Sequence, residues 1–220
     1  MRPGPRRSLT QRDIVAAAFE ILEQKGFAAV SVRGVAAALG LTPTAMYTYF
    51  DGKDALLAAM VEELLDGLDG LGGLGGEDAA QPAAPRERLI ALADDLRARL
   101  AEHAGAIALV TSGPLDGPNA GAFSELAGAA FAAGGLDESD SARAAHALLA
   151  AVVGQIAIET AWGVASADEP ATLWSDAPAR PYGDAAGELG LRAGDADEFR
   201  HAIGCLVDGW LATVATDATS

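Results

Sequence analysis

The side chains with the most chemical capacity in this 220-residue chain gather between Arg33 and Lys53. Thr42, Thr44, Tyr47, Thr48 and Tyr49 place a series of hydroxyls between one guanidinium and one ammonium group. Hydroxyls at that density can meet phosphate oxygens and base edges, and their small neighbours let a backbone approach a groove closely. Arg33 is the arginine placed to contact a guanine bidentately, and Lys53 can reach a phosphate. The elements that must hold these groups are short helices. Thr10 can cap a first helix whose Ile14, Ala17, Ala18, Ile21 and Leu22 follow a 3–4 spacing up to Gly26. Ser31 caps a second, with Val32, Val35, Ala36 and Leu39 inward, stopped at Gly40. Thr42-Pro43 opens a third that runs to about Phe50, with Met46 and Phe50 facing the core. Joined by the tight turn Gly40-Leu41-Thr42, the last two form a helix-turn-helix whose second helix is the one offered to a major groove.

Charge supports that reading only once it is divided. The whole chain carries −16, with a pI near 4.4, which argues against a polyanionic partner. Residues 1–53, however, hold seven basic and four acidic side chains, and the excess of acid lies entirely beyond Lys53. An acidic second domain held away from DNA is compatible with binding through the basic end. The rival reading is a helical partner-binding protein whose helix-turn-helix has lost DNA affinity, which the overall charge favours, or a corepressor-dependent DNA-binding protein without ligand-induced release.

Other chemistries lack their residues. G-x-S-x-G, H-E-x-x-H and P-loop motifs are absent, so no catalytic residues and no enzyme are expected. His103, His146 and His201 are far apart in sequence and show no ligand spacing, so neither a metal site nor a cofactor is called for. Gly70, Gly72 and Gly75 satisfy G-x-G-x-x-G, but they follow a helix instead of a strand, outside the context a dinucleotide needs. Cys205 stands alone and is expected to be a small buried hydrophobe. The stretch Ala144–Ile158 is free of charge but too short for a membrane span. No export signal follows Arg6-Arg7. A cytoplasmic protein without membrane partners is expected.

Beyond Lys53 the periodicity stays helical, giving an all-α chain. A long helix carries Leu56, Leu57, Met60, Val61, Leu64, Leu65 and Leu68, followed by a Gly/Ala/Pro-rich loop over 70–84. Further helices are expected over about 85–103, 105–112, 119–133, 138–165 and 195–216. The last has Phe199, Ile203, Val207, Trp210 and Val214 on one stripe. Residues 166–193, with Trp174, read as a surface loop. The domains are therefore a flexible 1–9, a helix-turn-helix over 10–53 and a larger helical domain over 54–220.

The run Ile14…Ala17-Ala18…Gly26-Phe27…Ser31-Val32-Arg33…Val35-Ala36…Leu39-Gly40-Leu41-Thr42-Pro43…Met46-Tyr47…Tyr49-Phe50…Lys53…Leu56-Leu57 resembles the DNA-binding domain of the tetracycline-repressor (TetR) family. That resemblance implies that Tyr47, Tyr49 and Lys53 hold phosphates, with Arg33, Thr44 and Thr48 nearest the bases. Tyr49 stands where the family often has histidine. Gly113-Pro114-Leu115-Asp116-Gly117-Pro118-Asn119, Ala133-Gly134-Gly135-Leu136, Ala150 to Glu159 and Phe199 to Gly209 resemble the ligand-binding domain of the tetracycline repressors proper. This implies a ligand-responsive repressor. Its helices 138–165 and 195–216 would pair into a homodimer, with an effector cavity beneath. Partners would be double-stranded, palindromic operator DNA and a small molecule.

Candidate effector-binding residues are Leu92, Leu96, Leu109, Thr111, Asn119, Phe123, Gln155, Glu159 and Trp162. The tetracycline binders hold a magnesium chelate with histidines, and none of the three here falls at a matching position. An apolar or aromatic effector is expected instead. Asn119, Gln155 and Glu159 are polar groups near apolar faces that need partners, either a ligand or, for Glu159, Arg143 or Arg200.

Overall fold

The computed structural model describes residues 9–68, 83–103, 105–113, 115–165 and 195–217. Among them the secondary structure is helical, with no strand. The chain folds as α1 (Gln11–Lys25), a 3-10 turn (Phe27–Ala29), α2 (Val32–Ala38), α3 (Pro43–Met46) and α4 (Lys53–Leu64). It continues as α5 (Pro85–Glu102), α6 (Ala106–Ser112), α7 (Pro118–Ala133), α8 (Glu138–Ala165) and α9 (Ala196–Asp217). Two expected helices prove shorter. The third leaves the helix after Met46 and continues as turns to Tyr49, and the one from Lys53 ends at Leu64, with Leu68 buried beyond it. The 70–84 loop up to residue 82, the 166–193 loop, Trp174 and the glycine motif at 70–75 lie outside the described residues.

Local chemistry explains the starts. Thr10 and Asp13 form a reciprocal capping box on α1. The Ser31 hydroxyl accepts from the Gly34 N–H at 3.0 Å, and the Thr42 hydroxyl from the Ala45 N–H at 3.2 Å. Between α2 and α3 the chain passes through Gly40 at φ +67°, a conformation that a side chain would strain, and Leu41 N–H closes the turn on Ala36 O.

By contacts the chain divides into two compact units. One comprises the described residues of Met1–Gly70 and Ala98–Phe123, the other those of Leu71–Arg97 and Ser124–Ser220. The division differs from one at Lys53, because α4 packs on α1 and α6. The first unit is closed around Ile14, Ala18, Val30, Val35, Met46, Leu56 and Met60, all fully buried. In it the Glu62 carboxylate of α4 accepts from the Asn119 N–H at 2.7 Å and the Ala120 N–H at 3.4 Å, and so caps α7 from outside. The Asn119 side-chain amide donates back to Glu62 O at 2.8 Å. A Cβ at Gly117 would overlap that carboxylate, so a larger residue there would have to push the Glu62 side chain off its cap.

In the second unit α8 packs on α9. Phe199, Ile203 and Val207 of the expected stripe are buried, while Trp210 and Val214 are half-buried. Two ion pairs tie α5 to α9: Arg86 forks onto both Asp208 oxygens at 2.6 and 3.0 Å, and Arg200 donates a single bond to Asp94 at 2.8 Å. The Arg86 hydrogen bond, with its charge, holds the Asp208 carboxyl below its ordinary range. Cys205 is exposed, contrary to expectation, because it faces away from the α9 stripe, with its Sγ 3.9 Å from His201 Nε2.

Candidate nucleic-acid interface

The buried side of the helix-turn-helix fixes what its other side presents. Met46 is fully buried and Phe50 is 6% exposed, so the residues between them turn outward. Thr44, Tyr47 and Thr48 are exposed and Tyr49 is half-buried, with Tyr47 at 57% one of the few large apolar side chains left in solvent. An aromatic ring left in water beside hydroxyls, in place of burial, suits a surface that meets a partner. The Gln11 side chain donates to Tyr49 O at 2.7 Å, tying the start of α1 to the end of this segment.

Not every hydroxyl is uncommitted. Thr42 already caps α3, and the Thr48 hydroxyl donates to Ala45 O at 2.7 Å, leaving only its lone pairs for a further partner. Thr44 and Tyr47 keep their full capacity. Arg33 is exposed on α2, and Lys53 is exposed at the first position of α4. The Lys53 ammonium lies 5.3 Å from the Phe27 ring centroid, within cation–π range, so the ring restrains it. Phe27 and Gln11 are positioning residues that sequence reading passed over. The pattern Gly26-Phe27 marked a turn, and nothing in it marked a contact with Lys53.

The effector candidates fall into both units. Leu109, Thr111, Asn119 and Phe123 belong to the first, and Leu92, Leu96, Gln155 and Glu159 to the second; the Trp162 side chain lies outside the described residues. Leu92, Leu96, Leu109 and Phe123 are buried. Thr111 is exposed and donates to Ile107 O at 2.7 Å. Asn119 is consumed by Glu62. Gln155 is half-buried.

Glu159 pairs with neither arginine weighed for it: Arg143 bonds Asp140, and Arg200 bonds Asp94. Its partner is Arg97, at 3.2 Å, from α5. No sequence signal singles out Arg97, which lies 62 residues away. Of the histidines, His103 bonds Glu23 at 2.7 Å and stacks on Phe19, while His146 and His201 are exposed. No group of metal-ligating side chains occurs among the described residues.

A buried three-helix core presenting a short capped helix, followed by a cation at the next helix start, defines a helix-turn-helix regulatory protein. Residues 14–60 match the model of "Bacterial regulatory proteins, tetR family". An HTH-type transcriptional regulator of Saccharopolyspora erythraea is 36% identical over 154 residues, covering 70% of this chain. The chain spans 62% of that relative's length. Among solved structures, a possible TetR family transcriptional regulator from Streptomyces coelicolor A3(2) superimposes with a TM-score of 0.78 at 27% identity, covering 92% of this chain and 99% of its own. BioQ of Mycobacterium smegmatis gives 0.68 at 27% identity, covering 93% and 99%. Residues 14–60 thus carry a tetR-family DNA-binding segment, and the chain as a whole is similar in sequence and fold to regulators of that family.

Proposed function

We propose that this protein is a transcriptional repressor. It binds a near-palindromic operator as a homodimer and releases it when a small, largely apolar or aromatic molecule occupies its C-terminal helices. The observation that carries the DNA half is the solvent-facing Thr44–Tyr47–Thr48 surface backed by buried Met46 and Phe50. On this reading Tyr47, Tyr49 and Lys53 hold phosphates, and Arg33, Thr44 and Thr48 lie nearest the bases. Two such domains are needed because one buries too little surface, and their recognition helices must lie roughly 34–36 Å apart. The family is one of regulators, so no catalytic role is assigned.

The dimer reading draws on α8. Within Glu138–Thr160 an 18-residue window has a mean hydropathy of 1.4, apolar enough by composition to cross a membrane, yet only 33% of that window is buried within the chain. Ile158 is 51% exposed. A second copy is the cover proposed for that face. Effector binding would favour the state in which the recognition helices are misplaced, so operator DNA must weaken effector binding by the same factor.

Light scattering at micromolar concentration, with and without operator duplex, tests the assembly: a dimer is expected, and a persistent monomer overturns it. Operator affinity should fall with salt at about −0.9 in log–log slope per phosphate contact. Ligands that stabilise the protein should also release the duplex. Stabilisation without release would favour the corepressor-dependent alternative.

A further inference from the structure

Two of the arginine–carboxylate pairs of the second unit, Arg86–Asp208 and Arg97–Glu159, are satisfied differently. Arg86 uses both its Nε and Nη2 on Asp208, a complete fork on a half-exposed pair. Arg97 directs Nη2 at Glu159 Oε2, but its Nε is fully buried and has no acceptor among the described residues. Side-chain exposures of 18% and 16% keep this pair largely out of water. Phe199, itself fully buried, packs 5.0 Å from the guanidinium carbon. A buried donor left without an acceptor is destabilising, the more so when charged, and such a group calls for an explanation.

We infer that Arg97 and Glu159 form the polar anchor of the effector site and that the effector is a neutral aromatic molecule bearing a hydroxyl group. This deepens the reading of a ligand-released repressor and rests on it. The chemistry follows from the half-used fork. A hydroxyl oxygen placed beside Nε accepts that N–H, and its own proton donates to Glu159 Oε1, which has no donor among the described residues. A ketone or ether would accept from Nε but set its remaining lone pairs against the carboxylate. A carboxylate ligand would be repelled by Glu159, since Arg97 is already neutralised by it. Phe199 against the guanidinium and Ile156 one turn before Glu159 are buried apolar side chains, so the pair sits in an apolar setting that suits an aromatic molecule better than a fully polar one.

The test compares phenol, 1-naphthol and 2-anthrol with their methyl ethers and with the matching carboxylates, by calorimetry on the full chain. At least one hydroxyl compound should bind tenfold or more tighter than its ether and its carboxylate. Arg97→Lys keeps a cation opposite Glu159 but has no Nε fork, and Glu159→Gln keeps shape while losing the charged acceptor. Either should abolish the hydroxyl preference, and circular dichroism checks that each variant folds. If no hydroxyl compound binds better than its ether, or if the preference survives in a folded Arg97→Lys protein, the inference is overturned. Release is read separately, by anisotropy of a labelled duplex selected from a random-sequence library. Arg97-dependent binding without release would remove the induction reading and leave the anchor standing. Release by compounds indifferent to Arg97 would do the reverse.

Discussion

The helix-turn-helix and the Arg97–Glu159 region both rest on a buried apolar frame, but they acquire their polar groups in opposite ways. In the first, the groups offered to a partner lie within about two dozen residues and are aimed outward by caps three residues away, such as Thr42 on Ala45. In the second, a guanidinium, a carboxylate and an aromatic ring arrive from three helices, 62 residues separating the charged pair. One surface is specified by local sequence, the other only by tertiary packing. Damage to the first should therefore be modular, and damage to the second should spread along the helices that carry it.

The sharpest way to break that contrast is Met46→Ala. Emptying a fully buried position in so small a core should cost about 2–5 kcal/mol and abolish operator binding, as followed by urea unfolding and duplex anisotropy. Naphthol binding should survive; its loss would mean the regions are not separable. Next in size, Arg33→Ala should relax discrimination at particular base pairs, by about 1–3 kcal/mol if the contact is bidentate. Lys53→Ala should weaken all sequences alike and lower the salt slope by about two contacts per dimer, one from each subunit. Glu62→Gln, which leaves the α7 end with a neutral acceptor, should lower stability by about 1 kcal/mol in chemical denaturation.

The smallest effect belongs to Asp208. Because Arg86 lowers its pKa in the folded chain, its contribution is present above the ordinary carboxylate value of about 3.9 and is lost as pH falls through the lower, folded value. Asp208→Asn should thus lower stability slightly at neutral pH, the pair being half-exposed, and converge with the parent protein as pH falls, which flattens the acid limb of a thermal-stability profile.

What could be read without coordinates follows the same divide. Caps, glycine stops and 3–4 spacing located the helices within a few residues, because each of those signals acts over one turn. The end of α3 at Met46 escaped, since Tyr47 and Thr48 continue the pattern while the chain satisfies itself by turns instead. Cys205 looked buried by type, yet its angular position on α9 put it outside the stripe of Phe199, Ile203 and Val207. Asn119 and Glu159 were recognised as groups in need of partners. Glu62 and Arg97, which answer that need, were not, because nothing local ties a residue to a partner more than fifty positions away.

The cap that Glu62 places on α7 also bears on the order in which the chain can fold. A helix start normally closes with residues a few positions away, within microseconds. Here the acceptor lies 57 residues upstream, so the first turn of α7 gains it only after that long loop has closed. On a ribosome α4 emerges first and waits with its carboxylate solvated until Pro118–Ala120 appear. Refolding followed by pulsed hydrogen exchange should find the Asn119 amide protected late, together with α4 contacts and after the amides inside α1.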